Sequence, residues 1–330
     1  MIMFGLLFAK YIIKERMILR KKVMFFVWIC MLFICLSGNF FNTTIAATET
    51  LDNSTPNYTE TSTTDTTGAG EFTIMAVGTD NDNMCLGNPS GATTSTSNST
   101  NYLMTKPQYA LSYNNSKHEP NWTSWHVQSS DLGSAPRQDD FRPDTTLPSG
   151  WYQVVATEYS GSGFDRGHMC PSADRTSTVA NNSATFLMTN MIPQAPNNNQ
   201  ITWANLENYC RTLVTSGNEL FIISGGFGSG GTGSSGYKTT VGNGVVVPAK
   251  TWKIIVVLAN GSSDVSRVTT STRVIAVWMP NDQTCSSQSW GYYRVSVDYI
   301  ESMTGYNFLS AVSTSIQSTI ESRVDSGPTS

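Results

Sequence analysis

Phe164-Asp165-Arg166-Gly167-His168-Met169-Cys170-Pro171 is the stretch on which the reading of this chain turns. An acid, a base, a glycine and an imidazole fill the consecutive positions Asp165 to His168. Charged groups are costly to bury unless they are paired, so so dense a run points to use rather than packing. Imidazole is the side chain best placed to take a proton near neutral pH. The chain contains 3 histidines, which limits a histidine-based mechanism to three candidates. His126, in Trp125-His126-Val127 of an expected strand, reads as structural, and His118 lies in a polar loop. Of the three, His168 stands in the densest chemical context, with an acid, an arginine and a glycine in the three positions before it.

Downstream follow Thr189-Asn190-Met191-Ile192-Pro193-Gln194, then Asn197-Asn198-Asn199-Gln200, then Trp203-Ala204-Asn205-Leu206-Glu207. An asparagine oxygen suits a hard cation such as Mg²⁺, which retains most of its waters and needs few protein ligands. Leu206, Tyr209 and Leu213 form an apolar stripe at helical spacing over Thr202–Thr215. Glu207 and Arg211, four residues apart, share the charged side of that helix. By itself such a pair reads as a surface ion pair.

The wider pattern predicts strands at Tyr109–Tyr113, Trp122–Gln128, Ala184–Thr189, Glu219–Ser224, Trp252–Leu258, Arg273–Met279 and Tyr292–Val297. Further helices are expected at Val297–Met303 and Val312–Arg323. Many strands and few helices without regular alternation argue for an α+β fold with a mixed, mainly antiparallel sheet and flanking helices. Gly226-Phe227-Gly228-Ser229-Gly230-Gly231 matches a dinucleotide fingerprint, but Gly/Ser loop rather than helix follows it, so it reads as a surface loop.

Taken together, Asp165-Arg166-Gly167-His168, Asn190, Asn199-Gln200, Glu207 and Arg211 resemble the DNA/RNA non-specific endonuclease family, the ββα-metal or His-Me finger nucleases. The resemblance extends from Leu86 to Asp325 and includes Leu86-Gly87-Asn88-Pro89-Ser90-Gly91-Ala92 and Ser134-Ala135-Pro136-Arg137-Gln138. It implies a ββα unit formed by Phe164–Cys170, Ala184–Asn190 and the helix after Asn199. It implies His168 as general base, Asn199 as direct ligand of a hydrated Mg²⁺ (Mn²⁺ an admissible substitute) and Glu207 as holder of the metal's waters. Asn190 would steady the site, Arg166 and Arg211 would contact the scissile phosphate, and Arg137 would be a further phosphate arginine. Asp165 would brace the strand end. The implied partners are DNA and RNA, cut with little sequence preference because such a site contacts backbone rather than bases. The rival from another class is a non-catalytic nucleic-acid or surface-binding protein on the same fold.

The chain's 330 residues suffice for one large domain or two ordinary ones. Lys10, Lys14, Arg16, Arg20, Lys21 and Lys22 precede the apolar run Val23–Leu36 and the small residues Ala46 and Ala47. This order predicts a secretory signal peptide over 1–47, a secreted protein and no stable membrane association after cleavage. An uncleaved segment would instead leave a membrane-anchored form. Ser, Thr, Asn, Asp and Glu dominate 48–83, which predicts a flexible linker before a nuclease domain over 85–324.

Removing 1–47 takes away six basic residues and Glu15, leaving 20 − 6 = 14 basic against 24 − 1 = 23 acidic residues and a net charge of −9. Nucleic-acid binders normally rest on Lys and Arg, so charge alone argues against the endonuclease reading. A metal ion and a few placed arginines can hold one phosphate without a basic face, but not tightly. Four cysteines follow the leader: Cys85, Cys170, Cys210 and Cys285. An even count in an exported chain predicts two disulfides, for which three pairings exist. The layout implied by the resemblance favours Cys170–Cys210, joining the base strand to the metal helix, with Cys85–Cys285 as the remainder.

Overall fold

A computed structural model describes residues 80–330. The expected signal peptide and residues 48–79 of the expected linker lie outside them. The last linker residues are part of the fold: Asp80 accepts hydrogen bonds from the backbone N–H of Ser263 and Asp264, and Asn81 N–H donates to Asp264. Among the described residues no helix is long and apolar enough to cross a membrane.

The strands, in chain order, are β1 (Tyr102–Thr105), β2 (Ala110–Asn114), β3 (Glu119–Val127), β4 (Asp165–His168), β5 (Met191–Gln194), β6 (Asn218–Phe227), β7 (Lys250–Ala259), β8 (Arg273–Pro280) and β9 (Arg294–Val295). Short hairpin strands at Gly231–Gly233/Gly236–Lys238 and Thr240–Val241/Val245–Val246 complete the set. Seven strands pair antiparallel in the order β1-β2-β3-β6-β7-β8-β9. The helices are α1 (Val179–Ala184), α2 (Ala204–Thr215), α3 (Asp264–Arg267), α4 (Val297–Thr304) and α5 (Thr314–Ile320).

Side chains alternate faces along a strand, and here both faces of the central strands are apolar. Leu220, Ile222, Ile255, Ile275 and Val277 face one core layer, with Trp203, Leu206, Tyr209 and Met169. Phe221, Ile223, Trp252, Ile254 and Val256 face the other, with Val297, Ile300, Phe308 and Ile320. The sheet is therefore sandwiched between α2 with the β4–β5 hairpin on one face and α4 with α5 on the other. Near-continuous apolar strands are what such two-sided burial requires. Lys253 breaks the pattern, a 1% exposed lysine in β7 at a position of the same parity as Ile255.

The α+β expectation holds: a mainly antiparallel sheet with flanking helices. The strand expected at Ala184–Thr189 does not form. Thr178 caps α1 by accepting from Asn181 N–H, and a tight turn follows at Met188–Asn190, so the strand begins only at Met191. Phe186, which supplied the strand-like pattern, is buried by ring packing against Phe141 and His168 instead. At Tyr292–Val297 only Arg294–Val295 pairs, because a 3₁₀ turn takes Trp290–Tyr293.

The expected Cys170–Cys210 and Cys85–Cys285 bridges are also absent. All four cysteines are buried thiols. Cys85 lies in one core layer and Cys285 in the other, with the sheet between them. Cys170 and Cys210 share a layer but serve there as small apolar groups.

Candidate active site

The site is built on β4 and β5, which pair from Asp165↔Gln194 to His168↔Met191. Gly167 is required by space: a Cβ there would overlap the Gln194 side chain. Gln194 donates a short hydrogen bond to Asn198, and Asn198 Nδ2 donates to Thr251 Oγ1 at 3.0 Å and Pro280 O at 2.8 Å. The bare glycine thus lets the hairpin close on a buried amide chain that reaches the central sheet. The chain then winds through a π-helical stretch, Asn198–Trp203, before α2. Single π turns are frequent at functional sites, and this one presents Asn199.

Asp165 Oδ2 accepts from Asn199 Nδ2 and from Gln200 Nε2, each at 2.8 Å. Occupying the amide nitrogen leaves the Asn199 oxygen as the free end of that side chain. Asp165, expected to brace the strand end, instead holds the side-chain amides of Asn199 and Gln200.

His168 ends β4, 9% exposed. Phe186 meets its ring edge-on at 4.9 Å and Phe141 lies at 5.5 Å. Nε2 has no hydrogen-bond partner. Burial, followed by repulsion from Arg137 and Arg166, lowers the imidazole pKa from 6.5 to about 3. The ring is therefore neutral and able to accept a proton. Asn190, fully buried, holds the chain just beyond it: Oδ1 accepts from Cys170 N–H at 3.0 Å, and Nδ2 donates to Cys170 O at 2.9 Å and Thr185 O at 3.0 Å.

Arg137, Asp165, Arg166 and Asn199 line one open cleft of about 310 Å³, together with Phe141 and Tyr159. The Arg166 guanidinium lies 4.1 Å over the Phe141 ring, and Arg137 lies 4.9 Å over Phe186. Each arginine therefore stacks on a ring that also contacts His168. Arg137 additionally donates to Asp139 and, at 2.8 Å, to Ser172 Oγ.

Glu207 and Arg211 do not line this cleft, and they do not pair with each other. Glu207 Oε1 lies 3.5 Å from Lys253 Nζ, whose ammonium stands 4.2 Å over the Trp203 ring. Burial raises the Glu207 pKa, and the charges of Lys253 and Arg211 oppose that shift. Arg211 donates to Asp174 Oδ1 at 2.8 Å and to Asn208. Asp174, itself buried, also accepts from Trp125 Nε1 at 3.0 Å. The Ser172–Asp174 turn thereby holds an arginine at each end, Arg137 through Ser172 and Arg211 through Asp174. Sequence reasoning missed Lys253, Asp174 and the two phenylalanines. Lys253 alone left a trace, as a charge inside an apolar run.

His126 is structural, as expected: it is buried and its Nε2 lies 3.0 Å from Glu219. The glycine-rich stretch runs from the end of β6 into a small hairpin at Gly231–Gly233/Gly236–Lys238, with no helix after it.

Two paired strands and a helix packed on an antiparallel sheet, with a buried histidine ending one strand and an asparagine lining the cleft, form the architecture of the ββα-metal nucleases; His168 itself is not among the residues that line the cleft. The chain belongs to the DNA/RNA non-specific endonuclease family, which it matches over residues 86–315, and it is an endonuclease of that non-specific class. A nuclease of Nostoc sp. is 57% identical over 242 residues, covering 73% of this chain and 85% of the relative. Human mitochondrial endonuclease G is 28% identical over 214 residues, 63% of this chain and 69% of the relative. Mouse mitochondrial nuclease EXOG is 31% identical over 210 residues, 61% of this chain and 55% of the relative. In a crystal structure of an EndoG/EndoGI complex, one chain shares the fold with a TM-score of 0.58 at 22% identity, covering 70% of this chain and 91% of that one.

Proposed function

We propose that the protein hydrolyses phosphodiester bonds of DNA and RNA with little sequence preference, with His168 as general base and a hydrated Mg²⁺ held through the Asn199 oxygen. One observation carries this reading: a neutral, partner-free imidazole shares its flanking rings with Arg137 and Arg166, which line one cleft together with an asparagine whose nitrogen is tied back by Asp165. The donor set fits a hydrated hard cation, because one amide oxygen suffices when water supplies the rest. When bound, such a cation neutralises charge developing on the phosphate and provides an acidic water for the leaving 3′ oxygen.

The chain's own groups do the remainder. Arg166 and Arg137, held on aromatic rings, orient a phosphate in the cleft. Burial is the larger cause of the depressed His168 pKa; the same phosphate offsets the further repulsion from Arg137 and Arg166, so substrate binding raises the imidazole's proton affinity by that smaller part. His168 then takes the proton of the attacking water. Arg211, fixed by Asp174, and Glu207, countered by Lys253, complete the charged surroundings on α2. With a net charge of −9 after leader removal, affinity rests on this local cluster.

The test is degradation of plasmid DNA and of RNA by the purified protein, with Mg²⁺ or EDTA, beside His168→Ala. Metal-dependent loss of both substrates, abolished in the variant, supports the reading. Wild-type activity in His168→Ala removes His168 as base. We further propose export, supported by the basic, apolar and small-residue order of 1–47. Amino-terminal sequencing of protein from culture medium should begin close to Thr48, and a start within the apolar run refutes the cleavage site.

A further inference from the structure

Asp298, Glu301 and Glu321 bring carboxylate oxygens within 4.8 Å of one another, on the sheet face opposite α2. Asp298 and Glu301 stand three residues apart on α4, and so on one helix face. Glu321 follows the last residue of α5. The two segments are fastened by a hydrogen bond from Asp298 N–H to Glu321 O at 3.0 Å.

Like charges so close repel, and ordinarily a basic side chain relieves them. Among the described residues no ion pair reaches any of the three. The neighbouring Arg323 donates elsewhere, to Thr270 O at 2.7 Å. One Glu301 oxygen accepts from Phe308 N–H. Glu321 is different: it is 5% exposed, and its Oε1 has neither a hydrogen-bond partner nor contact with solvent. A buried carboxylate oxygen with no partner is costly and rare in folded proteins. Burial, then Glu301 and Asp298, push the Glu321 pKa up to about 8, as expected of an acid lacking a counter-charge.

We propose that Asp298, Glu301 and Glu321 form a structural Ca²⁺ site, separate from the catalytic cleft. Ca²⁺ takes six to eight oxygens at about 2.3–2.6 Å, so oxygens across one ion stand up to about 5 Å apart. The observed spread fits within that limit. Exposed Asp298 leaves one side open for waters to complete the shell. An ion here would supply the missing partner of Glu321 and tie α4 to the carboxy-terminal segment. Four residues beyond Glu321, Asp325 accepts from both Arg273 on β8 and Arg294 on β9. The site would therefore lock the end of the chain against the sheet without taking part in hydrolysis.

The test uses the full chain carrying Asn199→Ala, which removes the oxygen assigned to the catalytic cation. Thermal unfolding is followed during Ca²⁺ titration, with calorimetry giving the stoichiometry. The expected result is one saturable Ca²⁺ per chain and a Tm rise of roughly 3–6 °C at tenfold excess over Kd. Adding Glu321→Gln, or separately the milder Asp298→Asn, should weaken binding at least tenfold and remove that rise. No Ca²⁺-dependent rise in the Asn199→Ala chain overturns the proposal, and so does a rise that survives both carboxylate substitutions. Phosphodiesterase activity of Asp298→Asn at saturating Mg²⁺ should equal wild type.

Discussion

Exchanging His168 for glutamine should make the protein more resistant to mild acid. In the folded chain burial and then Arg137 and Arg166 hold the imidazole pKa at about 3, against 6.5 for an unperturbed histidine. Between these values the unfolded chain binds a proton that the native chain does not. The unfolded state is then favoured as pH falls, so this contribution to stability is lost from pH 6.5 downward. Each unit costs about 1.4 kcal/mol, so between pH 7 and pH 5 the native state loses about 2 kcal/mol through this one group. At pH 5 the folded imidazole is still neutral, so the figure is set by the unfolded value and tolerates a unit of error in the folded one. Glutamine does not titrate, and every other group is common to the two proteins. Urea unfolding of both in EDTA, at pH 7 and pH 5, should give the wild type an excess loss of about 2 kcal/mol. Parallel losses would mean that the imidazole is solvated or paired in the native state, and the neutral-base argument would fail with it.

Three more outcomes can be checked separately. Gly167→Ala drives a methyl group into Gln194 and should cost about 1–3 kcal/mol in urea unfolding, with activity falling as the Gln194–Asn198 link shifts. Asp165→Ala releases the Asn199 and Gln200 amides and should raise the Mg²⁺ concentration for half-maximal cleavage several-fold while leaving Tm within a few degrees; an unchanged Mg²⁺ titration refutes the orienting role. Lys253→Met strands Glu207 without its counter-charge and should destabilise by about 3 kcal/mol, with part of that recovered in the Lys253→Met/Glu207→Gln double variant; simple additivity in the cycle would show that the two do not interact.

Local pattern made much of this molecule legible. Near-continuous runs of β-branched and other apolar residues in β7 and β8 placed the central strands, and the stripe Leu206, Tyr209 and Leu213 placed α2. Boundaries moved where a cap or turn outweighed propensity, as at Thr178 and at Trp290–Tyr293. The cleft was legible in part, since Asp165, Arg166 and Asn199 converge as their order in the family pattern implied, with Arg137 joining them. Long-range partners left no local trace. Glu207 and Arg211 carry the spacing of a helical ion pair, yet one turns to Lys253 on β7 and the other to Asp174 beyond β4. The cysteines misled for a related reason, because an even count is blind to the sheet that separates Cys85 from Cys285.

The Ser172–Asp174 turn works as a shared hinge plate for two guanidinium groups that are distant in sequence. It is bolted from below by Asn182, whose Nδ2 donates to Ser172 O at 2.8 Å while its Oδ1 accepts from Gln138 N–H, next to Arg137. Both arginines thus take one of their anchors from the same three-residue turn. Drift at this buried asparagine, outside the cleft, would therefore loosen the anchor that an arginine of the cleft shares with an arginine of α2.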